Sequence, residues 1–204
     1  ITTFQNYASH RYSGLAQINR GNVANLKAAW IVPFGGTALD GALNGPNAEG
    51  GILADGGMLF FNDGWGTIYK IDARDGSGSI VWTADPATDK EAEGARSRGP
   101  ALWGKNVYGN NVDGRAIAVD RNTGEFVWDV QVARTILGYD NLPGGPDAEH
   151  FVIGEKFTAA PLAVEGKILV GQSAGDWGTR GWLAALDADT GEELWRTYTI
   201  PAPG

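Results

Sequence analysis

The chain has 204 residues, 43% of them hydrophobic and 20% charged, enough apolar content for a globular core. Its net charge of −8 is not gathered into a basic surface, which excludes nucleic acid as a partner, and no run of about 18 apolar residues is present to span a membrane. With no cysteine and only His10 and His150 as imidazoles, thiolate chemistry and a histidine-based metal site are excluded, while 31 glycines fit many tight turns between short strands.

In chain order, Ile1 opens into polar sequence with no secretory-leader pattern, as a mature exported protein also does. Residues 1–30 read as a leading segment. Asn22 to Lys27 suits one capped helical turn, and Ala28-Ala29-Trp30-Ile31-Val32 is expected to begin a strand of a closing blade. The stretch from Gly35 to Gly51 is too long for a hairpin turn and has the character of a binding loop. Beyond it one phrase occurs three times: Ile71-Asp72-Ala73-Arg74-Asp75-Gly76 leading to Trp82, Val119-Asp120-Arg121-Asn122-Thr123-Gly124 to Trp128, and Leu186-Asp187-Ala188-Asp189-Thr190-Gly191 to Trp195. Each copy is an apolar run up to Asp, a turn with Gly four residues later, and a second run closing on Trp, which is the pattern of a hairpin.

A matching half precedes each copy, with turn triplets at Asp55-Gly56-Gly57, Gly104-Lys105-Asn106 and Glu165-Gly166-Lys167, so each repeat holds four strands. Trp82 and Trp128 are 46 residues apart, within the 40–50-residue period of a propeller blade. The next interval is longer, and residues 129–157 are read as an insertion centred on Leu142-Pro143-Gly144-Gly145-Pro146. The expected fold is all-β, a β-propeller of four-stranded antiparallel blades in which each closing tryptophan docks on the next blade, with residues 31–204 forming an incomplete propeller domain. Three blades and part of a fourth leave apolar faces bare, so further blades are expected on another segment or chain.

Among possible chemical motifs, the glycine-rich string Gly76-Ser77-Gly78-Ser79 lacks the lysine and the strand-turn-helix setting of a phosphate loop. Asp72 to Gly76 hints at a calcium loop, but its two sister copies lack the pattern and the turn reading stands. More informative is Gly171-Gln172-Ser173-Ala174-Gly175-Asp176-Trp177-Gly178-Thr179-Arg180-Gly181. It replaces a brief turn with small residues that admit a ligand close to the backbone, and Asp176 offers a hard oxygen to a cation.

These residues resemble the quinoprotein alcohol dehydrogenases, which use pyrroloquinoline quinone (PQQ) on an eight-bladed propeller. The likeness covers nearly the whole chain. It is carried by a leading motif, Arg11-Tyr12-Ser13 through Leu15, Gln17-Ile18-Asn19 and Asn22-Val23 to Leu26 and Ala29-Trp30, and by Thr158 with Ala160-Pro161-Leu162 followed by Gly171 to Gly181.

The resemblance implies roles residue by residue. Glu49 matches the acidic residue near the quinone carboxylates and Arg98 the arginine that binds the cofactor from the side. Thr158 and Ser173 match hydrogen-bonding groups, Ala174 and Gly175 match backbone lying against the cofactor, and Asp176 matches a metal-binding carboxylate that is usually Glu. The cation implied is Ca²⁺ or a lanthanide. The family's adjacent cysteine pair has no counterpart here, where the stretch reads Glu91-Ala92-Glu93-Gly94-Ala95.

The general base and a second metal ligand belong to later blades, so catalytic groups are expected outside this chain. The implied function is the N-terminal portion of a periplasmic PQQ-dependent alcohol dehydrogenase. It would act on an alcohol substrate and pass electrons to a separate acceptor such as cytochrome c, since no Cys-x-x-Cys-His is present. The rival is a non-catalytic propeller scaffold of the bacterial envelope, which shares the Asp-to-Gly turn and closing Trp but needs neither Arg98 nor the loop from Ser173 to Asp176.

Overall fold

The computed structural model describes residues 6–34, 47–89, 96–133, 155–175 and 179–201. Three four-stranded antiparallel sheets follow one another along the chain. Blade I is β2 (Leu53–Asp55), β3 (Met58–Asn62), β4 (Ile68–Asp72) and β5 (Ser79–Ala84), preceded by the two-residue strand β1 (Asn47–Ala48). Blade II is β7 (Ala101–Trp103), β8 (Asn106–Asn110), β9 (Arg115–Asp120) and β10 (Phe126–Gln131), preceded by β6 (Arg96–Ser97). Blade III is β11 (Leu162–Val164), β12 (Lys167–Gly171), β13 (Trp182–Asp187) and β14 (Glu193–Tyr198). Strand β10 takes in Asp129 to Gln131, the first three residues of the expected insertion.

Each blade opens on a tight hairpin whose geometry the turn residues explain. Gly56 and Gly57 both have positive φ, 58° and 78°, as do Glu165 and Gly166, 46° and 74°, the backbone that lets a two-residue turn follow the strand twist. Blade II is apolar on both faces because alternate residues serve opposite neighbours. Val107, Ile117 and Val119 pack with Phe60 and Ile68 of blade I. Tyr108, Ala118 and Trp128 pack with Ile168, Trp182 and Leu186 of blade III.

Docking of the closing tryptophans Trp82 and Trp128 on the next blade takes a specific form. A Cβ at Gly124 would lie 2.7 Å from Cδ2 of Trp82, and one at Gly191 would lie 2.8 Å from Cδ2 of Trp128. Both glycines have positive φ, 78° and 76°, so the indole lies flat on bare backbone. The indole N–H then donates to the carbonyl one residue after the turn aspartate: Trp82 to Arg121 O at 3.3 Å, Trp128 to Ala188 O at 3.0 Å. A second donor closes on the same carbonyl, Lys70 Nζ at 2.9 Å in one seam and Tyr108 OH at 3.1 Å in the other. A register shift just before each tryptophan, between Phe126 and Trp128 for instance, is the bulge that turns the ring across the seam.

Trp30 seats on Gly78 of blade I in the same way. The glycine that matters in the first copy is therefore Gly78, six residues after Asp72, while the expected Gly76 faces open space. What is constant is the spacing from glycine to tryptophan; the aspartate-to-glycine distance is free to grow because the turn points into solvent.

Two features of the leading segment differ in detail from expectation. The helical turn is a single 3-10 turn, Val23–Asn25, without a side-chain cap. Residues 28–34 form no strand, since no neighbouring strand among the described residues supplies a hydrogen-bonding edge, yet Trp30, Val32 and Phe34 still pack on Phe61 and Tyr69 of blade I.

Substituting the docking glycines tests this arrangement. Gly124→Ala or Gly191→Ala combines a left-handed backbone with intrusion on the indole and is expected to cost about 2–4 kcal/mol, against about 1–2 for Gly166→Ala, where nothing lies within 4 Å of the added methyl. Denaturant titration of the intact protein reads the difference, and equal losses would show that the indole contact contributes nothing.

Acid should loosen the same turns. Turn amides of Thr123 and Asn122 hold the Asp120 carboxylate below its ordinary value, and those of Thr190 and Asp189 do so for Asp187; hydrogen bonds from Arg74 bring Asp72 down to about 2. A folded-state value below the unfolded one contributes stability present above the ordinary Asp range, which is lost as pH falls through the folded value. Asp63 runs the other way: burial raises it, so its ionisation lowers stability as pH climbs. Asp120→Asn and Asp187→Asn should therefore flatten the fall in unfolding midpoint between about pH 5 and pH 2 relative to wild type.

Candidate functional site

In an up-and-down blade, the segments leading into the innermost strand and the loop joining the second and third strands share one end. Glu49 lies four residues before β2, Arg98 three before β7 and Thr158 four before β11, while Ser173 to Gly175 follow β12. Four separated stretches of sequence thus reach one mouth of the propeller.

The first three residues are joined directly. Arg98 Nη2 pairs with Glu49 Oε2 at 3.0 Å, and Arg98 Nη1 donates to the Thr158 carbonyl at 3.1 Å and to Thr158 Oγ1 at 3.0 Å. Backbone pairing sets this up. Strands β1 and β6 run parallel with Asn47 opposite Arg96 and Ala48 opposite Ser97, and Glu49 N donates to Ser97 O at 2.9 Å. Glycine is required next to it: a Cβ at Gly50 would stand 2.5 Å from Gly99 N and 2.7 Å from Gly99 Cα. Side chains of Glu49 and Arg98 remain 37% and 46% exposed, so the pair is presented to solvent.

Ser173 is held by Lys156 on the same segment as Thr158. Its N–H and its hydroxyl both donate to Lys156 O at 2.9 Å. That leaves the hydroxyl's lone pairs to accept from a ligand. Ala174 is driven to φ 76°, and its carbonyl accepts from Thr179 Oγ1 at 2.7 Å, a hydroxyl that in turn takes a bond from Gln172 Nε2. Gly175 has no atom within 4 Å of a Cβ position. The result is a ledge of small residues beside the Glu49–Arg98–Thr158 chain. Asp176 lies outside the described residues, as does the stretch Glu91 to Ala95.

Arg96 joins the group although the sequence reading passed over it. Its Nε is 3.9 Å from Glu49 Oε1, so Glu49 sits between two arginines. The signal was present as Arg96-Ser97-Arg98, since a two-residue strand period sends both arginines to one side and buried Ser97 to the other. Among the described residues no three or more His, Asp or Glu side chains converge as a metal site.

Fold and site together define a bladed propeller whose mouth presents a planar guanidinium, the Thr158 and Ser173 hydroxyls and an open peptide ledge. The sequence profile described as glucose/ethanol/alcohol dehydrogenase, beta-propeller domain, matches residues 2–204, and the chain belongs to that family. It is 34% identical over 212 residues to the dehydrogenase subunit of the quinone-type alcohol dehydrogenase of Gluconacetobacter polyoxogenes, covering all of this chain and 26% of that protein. It is 32% identical over 201 residues to the lanthanide-dependent methanol dehydrogenase of Methylacidiphilum fumariolicum, covering 96% of this chain and 29% of that one. The solved structure of the quinohemoprotein alcohol dehydrogenase ADHIIG from Pseudomonas putida superposes with a TM-score of 0.75 at 31% identity, over 98% of this chain and 26% of the other. The chain thus spans about a quarter of the length of these alcohol dehydrogenases. No helix among the described residues is long and apolar enough to cross a membrane.

Proposed function

We propose that this chain supplies part of the cofactor mouth of a periplasmic PQQ-dependent alcohol dehydrogenase. The supporting observation is the Glu49–Arg98–Thr158 chain, which draws three blades together around a guanidinium at the propeller mouth. Arg98 binds a carboxylate of the quinone, with Thr158 fixing the plane of the guanidinium beforehand. Ser173 accepts a hydrogen bond at the ligand edge, and the peptides of Ala174 and Gly175 lie against it. Asp176, one residue further along, is the metal ligand, and its hard oxygen favours Ca²⁺ or a lanthanide over zinc. When bound, the quinone supplies the hydride acceptor and the cation the Lewis acid. The general base that takes the alcohol proton comes from residues outside this chain, and a separate acceptor such as cytochrome c collects the electrons.

Further blades complete the ring in this reading. Support comes from blade III, whose Trp195 is 40% exposed with Leu194 and Tyr198 beside it, whereas Trp128 seated on blade III is 8% exposed. The face is that of a blade waiting for its neighbour's glycine turn.

Two substitutions test the assignment in the intact protein. Arg98→Ala should weaken PQQ binding by about 1.5–3 kcal/mol, read by calorimetric titration of the cofactor-free protein, with its unfolding midpoint unchanged. Asp176→Asn removes the charge at constant size and should lower both bound metal, measured by elemental analysis, and alcohol oxidation with added PQQ. Equal metal and equal rates would return Asp176 to a turn role, and a protein that binds no PQQ at all would be the envelope scaffold instead.

A further inference from the structure

Arg96 lies in strand β6 and Arg98 directly follows it; both guanidinium groups face Glu49, while Ser97 between them is buried. Glu49 follows the last paired position, Ala48 opposite Ser97, and its carboxylate lies 3.0 Å from Arg98 and 3.9 Å from Arg96. Two cations therefore face one carboxylate, a local excess of positive charge in a chain of net charge −8. Arg98 already commits Nη1 to Thr158, so an incoming carboxylate has to share Nη2 or the remaining donors with Glu49. Two carboxylates against one guanidinium repel each other unless a second cation takes up one of them. Arg96 is that cation. Its side chain is 42% exposed and reaches the oxygen of Glu49 that Arg98 does not hold.

We infer that Arg96 is a positioning residue for the acidic cofactor: it keeps Glu49 charge-compensated while the fixed Arg98 guanidinium also takes up a ligand carboxylate. This rests on the PQQ reading above. It assigns a division of labour, with Arg98 touching the ligand and Arg96 acting through Glu49. Because all three side chains are partly exposed, the effect should be moderate and should shrink as salt is raised.

The experiment is equilibrium titration of PQQ into the cofactor-free intact protein, followed by quenching of tryptophan emission, for wild type, Arg96→Gln, Arg96→Lys, Glu49→Gln and the Arg96→Gln/Glu49→Gln pair. Arg96→Gln should weaken binding roughly three- to tenfold at low salt, and Arg96→Lys, which keeps the charge, should stay within about twofold of wild type. In the Glu49→Gln background the same Arg96→Gln change should have no further effect, because there is no longer a charge to compensate. Unaltered affinity in Arg96→Gln overturns the assignment while leaving the PQQ reading standing. So does an undiminished loss in the double variant, or a loss that follows the unfolding midpoint of the cofactor-free protein, since either marks a structural role. Absence of PQQ binding by wild type overturns both.

Discussion

An indole lying on a bare, left-handed glycine is the contact on which the arrangement of blades depends. Trp82 on Gly124 and Trp128 on Gly191 bring one blade's outer strand against the next blade's turn, and the indole N–H reaches the carbonyl beside it. No side chain other than hydrogen leaves room for that approach, and few residues other than glycine accept the backbone angle. The contact is directional as well as apolar. It therefore sets where the neighbouring blade stands, which a greasy interface alone would leave free to slide.

That placement has a consequence at the far end of each blade. The docking turns join third to fourth strands, whereas Glu49, Arg98 and Thr158 lead into first strands, so staple and site occupy opposite ends of the same seam. Arg98 can reach both Glu49 and Thr158 only when blades I, II and III hold their relative rotation. The site is thus an output of the seams, assembled from residues 49 and 60 positions from Arg98 in sequence.

The repeat was legible because the fold needs the same solution three times: alternation, turn and closing tryptophan recur wherever a blade must dock. What blurred it was the one degree of freedom that docking does not constrain. In blade I the turn is longer and the seat moves from Gly76 to Gly78, a change that matching on the aspartate conceals and matching on the tryptophan exposes. Ala28 to Val32 has the composition of a strand but no edge to pair with among the described residues, a tertiary condition that composition does not encode. At the site, Glu49, Arg98 and Thr158 were marked by resemblance and the structure brings them together, although their roles toward a quinone stay a proposal. Arg96 went unmarked because its meaning comes from Glu49 across a parallel pair, a contact between strands nearly fifty residues apart.

Preorganisation is what the Glu49–Arg98–Thr158 chain contributes to any acidic ligand. A free arginine side chain loses considerable rotamer freedom when it is fixed on a carboxylate. Here the Thr158 carbonyl and hydroxyl and the Glu49 carboxylate have already fixed the guanidinium during folding. A ligand of the proposed kind would meet a fork whose plane and direction are set, and less of the association energy would go into ordering it. The same restraint limits what can bind. Because Thr158 holds one edge of the guanidinium and Glu49 occupies the other, a carboxylate must come alongside Glu49, and a ligand without a negative charge would leave the Glu49–Arg98 pair undisturbed and gain nothing from it. The plane and direction of the Arg98 guanidinium are therefore set by the way three blades meet.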